Sequence, residues 1–260
     1  MRAQFLANAM PHFSVQSPSV QQHKMAISRS TSLPPDVIHQ LLFSFTHKDE
    51  PMLTVPGLCW LCRMPMALSH WGICSVCARA ARQRESLCPR CGLPSAHTTL
   101  PCGRCLQKPP PWQRLITVSD YAPPLSTLIH QLKFSRRSEV ALALSRILLL
   151  EVLEAHRRTG LVLPDRLVSV PLWQRRHWRR GFNQSDLLCR PLSRWLHCAW
   201  DSRSVTRIRP TATQHHLSAR LRKRNLKNAF HLELPVKGLH MVVVDDVVTT
   251  GSTVAEIAQL

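Results

Sequence analysis

Between Cys59 and Cys105 the chain carries four Cys-x-x-Cys pairs: Cys59/Cys62, Cys74/Cys77, Cys88/Cys91 and Cys102/Cys105, spaced by eleven, ten and ten residues. No other feature limits the fold as strongly. Each such turn aims two thiolates at one point, and two turns complete a tetrahedral zinc shell. The segment has few large apolar side chains, so metal-binding energy must serve as folding energy. Eight thiolates make two closed four-cysteine sites with no open position for chemistry, hence structural ones. Pairing in sequence order gives a double zinc ribbon and is preferred; a cross-braced pairing would use the same residues. Four evenly spaced copies make little sense for a redox dithiol, and an iron–sulfur centre is the other rival. His70 and His97 lie nearby but read as surface histidines.

The second constraint is Met241-Val-Val-Val-Asp-Asp-Val-Val-Thr-Thr-Gly-Ser-Thr253. Its apolar start reads as a strand buried on both faces, as in a parallel sheet. Asp245 and Asp246 are expected where that strand runs out. A small hydroxylated loop follows, then helical character from Val254 to Leu260. Strand, loop and helix start make a phosphate cradle in which backbone N–H groups converge on an anion. No Gly-Lys-Ser/Thr closes the loop, and the three glycines of a dinucleotide fingerprint are absent. An acidic pair ahead of a phosphate loop suits a phosphorylated sugar, its hydroxyls on the carboxylates. The stretch looks like the motif by which type I phosphoribosyltransferases bind 5-phosphoribosyl 1-pyrophosphate (PRPP). The bland alternative is a buried strand with an acidic end and a Ser/Thr helix cap.

Composition decides the class of partner. Across 260 residues, 34 Lys and Arg face 15 acids, a net charge of +19, with 44% hydrophobic residues to build a core. Such an excess points to polyanions: nucleic acid, phosphorylated metabolites or anionic lipid. No apolar run is long enough for a membrane helix, and no signal peptide is evident. A cytoplasmic, reducing location is therefore expected, in keeping with the cysteine spacing.

Residues 1–51 are polar and weakly periodic. They read as a disordered tail or an upstream translation start, with Met52 as the alternative start and only Val37–Phe45 capable of a short helix. Residues 52–106 form the zinc-ribbon domain. The proline-stiffened stretch Leu106–Trp112 is a linker, and residues 112–260 form an α/β domain. There, strands are expected at Arg114–Tyr121 and Leu167–Val170, and helices at Leu125–Phe134, Glu139–His156 and Ser185–Leu196. Alternating strands and helices predict a doubly wound parallel sheet. Cys189 and Cys198 read as core thiols.

The excess charge is concentrated in one part of that domain. Between Arg166 and Lys227 fifteen Lys/Arg face two Asp. Leu172-Trp-Gln-Arg-Arg-His-Trp-Arg-Arg-Gly-Phe-Asn-Gln184 follows a strand's C-terminal end, where α/β ligand sites lie. Its arginines can clamp pyrophosphate, Arg175 and Arg176 being the contacts assigned, or grip a nucleic acid backbone while aromatics stack on bases. For nucleic acid the candidates are Arg179, Arg180, Arg222, Lys223 and Arg224. A solvated basic loop is the ordinary alternative.

Taken together, the Cys-x-x-Cys module, Lys133-Phe134, Arg180-Gly-Phe-Asn-Gln184 and the Asp245-Asp246…Thr250-Gly251 loop resemble the ComF/GntX family from Met52 to the end of the chain. The resemblance implies a type I phosphoribosyltransferase-like fold, PRPP and Mg2+ binding, and a cytoplasmic role in using external DNA. In competent bacteria that role is DNA uptake and transformation; in GntX-like proteins it is DNA utilisation as a nutrient. Carried over by motif, Asp245 and Asp246 are the catalytic pair holding the ribose hydroxyls, directly or through hydrated Mg2+. Val247, Val248, Thr249, Thr250, Gly251, Ser252 and Thr253 hold PRPP. Family members continue past the helix in which this chain stops, so a truncated product is expected.

Three functions follow as expectations. The protein is an active phosphoribosyltransferase; or it binds PRPP without turnover and uses its basic surface on single-stranded DNA; or it is a scaffold whose zinc ribbons recruit DNA-uptake or replication proteins. No residue in the sequence names an acceptor.

Overall fold

The computed structural model describes residues 2–9, 57–82, 86–135, 137–174, 178, 180–210 and 226–260, and these belong to one compact unit. A five-stranded sheet runs through it. Its strands are β1 (Arg2–Ala9), β2 (Trp112–Asp120), β3 (Arg166–Ser169), β4 (Ala199–Trp200) and, later in the chain, Met241–Val248. A two-stranded ribbon, β5 (Val205–Arg207) and β6 (Phe230–Leu232), lies between β4 and that last strand in sequence. Met241–Val248 is accordingly β7. The sheet order is β2-β1-β7-β3-β4.

The fold is α/β, with β7, β3 and β4 parallel as expected. Two sequence expectations need correction. The sheet is mixed, because β1 lies antiparallel between β2 and β7. This strand comes from the stretch read as a tail. A lone edge strand exposes a row of unpaired N–H and C=O groups, and β1 supplies partners to two such edges at once. Further, β7 does not end before the aspartates; it runs to Val248, pairing Asp245 with Phe5 and Val248 with Arg2. On its other side the ladder stops at Ser169↔Val244, extended by the Val170 N–H donating to Val244 O (3.1 Å). Pro171 has no N–H to carry it further. The helix expected at Val37–Phe45, and Met52, lie outside the described residues.

Helices α1 (Ser75–Ala81) and α2 (Gly103–Gln107) belong to the cysteine-rich part. The sheet is served by α3 (Leu125–Phe134), α4 (Val140–Thr159) and α5 (Gln184–Trp195), close to the expected bounds, and by α6 (Ser252–Ile257) after β7. On α4 the buried set Val140, Ala143, Leu144, Ile147, Leu148 and Val152 recurs at helical spacing. These side chains share one core with Leu128, Ile129 and Leu132 of α3, Leu188 and Leu192 of α5, and Leu167, Val242 and Val244 of the sheet. Gly160 ends α4 in the left-handed conformation that an L side chain resists. Cys189 is fully buried in this core and Cys198 packs against it; burial pushes both thiols upward, Cys198 to about 11. Among the described residues no helix is long and apolar enough to cross a membrane.

Candidate functional site

The C-terminal half of β7 and the loop after it line a cavity of about 280 Å³. Asp245, Asp246, Val247, Val248, Thr249, Thr250, Gly251, Ser252 and Thr253 all line it, so every motif residue from the pair through the loop is gathered there. The early end of β3 leaves this side of β7 open, and Pro171, Leu172, Gln184 and Ser185 form the facing wall. Asn183 holds that wall: its Nδ2 donates to Val170 O (3.1 Å) and its Oδ1 accepts from Ser185 N (3.2 Å), capping α5. Ser185 Oγ in turn donates to Asp245 Oδ1 (3.3 Å), and the Asp246 N–H donates to the same oxygen (2.9 Å).

Two adjacent carboxylates in a recess repel each other, and Lys133 relieves this. Its Nζ lies 2.5 Å from Asp246 Oδ2, at the end of α3. For Asp245, burial and the neighbouring Asp246 charge push the pKa up to about 8, against the pull of Lys133 and the Asp246 N–H. The pair as it stands therefore carries less than two negative charges at neutral pH. A cation or a set of hydroxyl donors would draw out the second charge.

The loop is built for close approach. Gly251 has φ of +70°, and Thr250 Oγ1 and Ser252 Oγ are hydrogen-bonded at 2.7 Å. Thr249 and Thr250 are exposed and line the recess. Arg180 and Arg207 complete the cationic rim. The guanidinium of Arg180 lies 5.3 Å from the ring centre of Phe134, which is 56% exposed, and Trp178 is 85% exposed.

Arg175, Arg176, Arg179, Arg222, Lys223 and Arg224 lie outside the described residues. Five polar residues enter the site without having been assigned to it from sequence: Tyr121, Lys133, Gln184, Ser185 and Arg207. Lys133, Gln184 and the Asn183 cap sit inside motifs already conspicuous in the chain. Arg207 carries no local signal, because only the β5–β6 ribbon brings it to the cavity.

The eight cysteines form two groups, Cys59/Cys62/Cys74/Cys77 and Cys88/Cys91/Cys102/Cys105, each with sulfurs within 4.8 Å of one another. This is the sequence-order pairing. Four sulfurs at about 2.3 Å from one zinc stand about 3.8 Å apart; Cys62–Cys74, Cys91–Cys102 and Cys88–Cys105 measure 3.8, 3.7 and 4.0 Å. The donor set and spacing fit zinc in both groups. Backbone N–H groups add to this: Cys74 N donates to Cys59 Sγ (3.4 Å) and Cys102 N to Cys88 Sγ (3.2 Å). Although burial raises both thiols, backbone N–H donors outweigh it and bring Cys59 and Cys88 down to about 6. His70 and His97 are exposed and belong to neither group.

Comparison with known proteins places the chain. It is 83% identical over 209 residues to the DNA utilization protein YhgH of Escherichia coli K12, covering 80% of this chain and 92% of the relative. The same figures hold for YhgH of Salmonella typhimurium. Competence protein F of Haemophilus influenzae is 40% identical over 207 residues, 78% of this chain and 89% of that protein. The chain belongs to the ComF/GntX family. Within the family, the distance from 83% to 40% identity is spanned with nearly the same coverage. No family model and no solved structure matches the chain.

Proposed function

We propose that this protein is a PRPP-binding, phosphoribosyltransferase-like accessory protein in the uptake or utilisation of external DNA, acting in the cytoplasm with two structural zinc ions. The observation that carries the reading is the convergence of an acidic pair, a hydroxylated glycine loop and two arginines on one recess. Asp245 and Asp246 accept hydrogen bonds from the ribose hydroxyls. Backbone N–H groups and hydroxyls of Thr249–Thr253 donate to the 5′-phosphate, and Arg180 and Arg207 neutralise further phosphate charge. Mg2+, held through the carboxylate pair, would supply charge for the pyrophosphate group. Lys133 keeps the pair compensated until the ligand arrives. The names of the relatives, DNA utilization protein and Competence protein F, support the biological setting.

Calorimetry with PRPP and Mg2+ tests the reading. The Asp245→Asn/Asp246→Asn double variant should bind at least about a hundredfold more weakly, as the loss of a few kcal/mol of charge-assisted contacts implies. Failure of the zinc-loaded wild type to bind PRPP would refute it. Release of pyrophosphate only in the presence of an acceptor would add phosphoribosyl transfer to binding.

A second reading rests on the Phe134–Arg180 stack and exposed Trp178. Exposed aromatics beside guanidinium groups suit single-stranded DNA, bases stacking and phosphates paired. Binding of an oligothymidylate should then weaken steeply with salt, and Trp178→Ala should weaken it further. A flat salt response would remove this reading.

A further inference from the structure

The tryptophan that opens β2 stands between the second cysteine group and the phosphate loop, and touches both. Its ring is 7% exposed, clustered with Leu115, with Val248 just before the loop and with Val254 just after it. A Cβ placed on Gly251 would lie 2.8 Å from Trp112 Cη2, so the indole edge lies directly on the loop's tightest residue. The opposite side of the indole is tied to the turn between Cys88 and Cys91. Trp112 Nε1 donates to Arg90 O (2.7 Å), Arg90 Nη1 donates to Trp112 O (3.1 Å), and Leu115 N donates to Pro89 O (2.8 Å). Pro89 and Arg90 are the two residues inside that Cys-x-x-Cys turn.

We propose that Trp112 is a positioning residue through which the second four-cysteine site sets the order of the phosphate loop and its affinity for a sugar phosphate. The affinity half of the proposal rests on the reading of Thr249–Thr253 as a phosphate cradle; the mechanical half does not. A filled metal shell fixes the Cys88–Cys91 turn and hence the carbonyls of Pro89 and Arg90. Should that turn loosen, the buried indole N–H loses its acceptor, a costly state that the ring escapes only by moving. The ring cannot move without leaving Gly251, whose conformationally free backbone is packed against the indole edge. By linkage, a ligand on the loop must also tighten metal at the second site. The first site is anchored elsewhere, on α4, where Arg146 donates to Ile73 O and Ala143 lies beside Gly72.

Hydrogen exchange on the full zinc-loaded chain reads the mechanical half without any ligand. Trp112→Phe keeps a ring but deletes the N–H, and should speed exchange in the segment 248–254 while both metal ions are retained. Trp60→Phe, in the first Cys-x-x-Cys turn, should leave that segment unchanged. Calorimetry with ribose 5-phosphate reads the other half: Trp112→Phe should weaken binding about tenfold, the scale of one buried hydrogen bond. Ribose 5-phosphate should also slow chelator extraction of the second metal and not the first. Unchanged exchange in Trp112→Phe overturns the proposal even if wild type binds the ligand. Faster exchange in a protein that binds neither ribose 5-phosphate nor PRPP upholds the mechanical link and refutes the phosphate reading. Where Trp112→Phe does not fold, Arg90→Ala removes only the guanidinium bond to Trp112 O and should give the same signs at smaller size.

Discussion

The two four-cysteine modules are near copies in their own geometry and differ in what they touch. In both, the first pair lies on a turn closed by a left-handed residue, Arg63 at φ +63° or Gly92 at φ +68°. An antiparallel bridge closes each turn, Leu58↔Pro65 in one and Leu87↔Pro94 in the other. In both, the second pair starts a short helix, with Cys74 or Cys102 as extended N-cap. The first module then joins the main core: Cys59, Met66, Ile73, Ala78 and Ala81 pack with Leu144, Ile147 and Leu148. Arg146 of α4 donates to Ile73 O (2.7 Å) and lies 3.9 Å from the centre of the Trp71 ring, while Arg82 pairs with Glu151. The second module touches β2 and, through Trp112, the loop at Gly251. One local design thus packs on the core in one place and on the loop after β7 in the other.

The largest effect should separate the two roles outright. Cys59→Ser opens the site whose cysteine is fully buried in the main core, and a structural zinc site represents on the order of 10 kcal/mol of binding energy. Thermal melting should show loss of the cooperative transition. Cys88→Ser should retain a transition, at lower temperature, and lose ribose 5-phosphate binding. Equal melting curves for the two variants would erase the distinction.

A smaller effect isolates the first contact surface. Arg146→Met keeps the aliphatic stem but removes a charged hydrogen bond and the stacking on Trp71. Urea unfolding should show a loss of about 2–3 kcal/mol, with ribose 5-phosphate affinity unchanged. A parallel loss of affinity would mean that the first module also reaches the loop.

The last effect is a pH slope, at most about 1.4 kcal/mol per pH unit, that belongs to the β7 carboxylates alone. The folded-state pKa of Asp245 stands near 8, above the ordinary 3.8, so the native state holds a proton that the unfolded chain releases. That stabilisation is complete below about pH 4 and is lost as the pH rises toward about 8. Ligand-free stability should therefore fall across this window. Asp245→Asn should flatten the slope and Arg146→Met should leave it intact, as read by urea midpoints at several pH values.

Much of this was legible in local pattern. Thiolate pairs two residues apart can converge on one ion wherever the chain runs, so the ligand set followed from spacing. The helices of the α/β part followed from apolar periodicity, and the stretch from Asp245 to Thr253, singled out by its Asp-Asp and Thr-Thr-Gly-Ser-Thr order, lines one cavity. Local pattern failed where an edge had to find a partner. Arg2–Ala9 alternates polar and apolar residues except at Leu6, a signal hidden in a polar stretch, and it becomes a strand because two sheet edges have hydrogen-bonding groups to satisfy. The same addition carries β7 past Val244 and places Asp245 and Asp246 within a strand instead of after it.

The sequence by itself determined the chemistry that is present: eight thiolates in two sets, an acidic pair, a glycine loop and a surplus of cations. Those are properties of residue type and short spacing, which do not depend on distant neighbours. Tertiary structure alone decided which groups meet. It brought Lys133 to Asp246, Ser185 to Asp245 and Arg207 to the cavity, and set Trp112 between a metal turn and Gly251. Contacts across such sequence distances are fixed by packing and by the need to satisfy every buried polar group, and neither acts until the whole chain is in place.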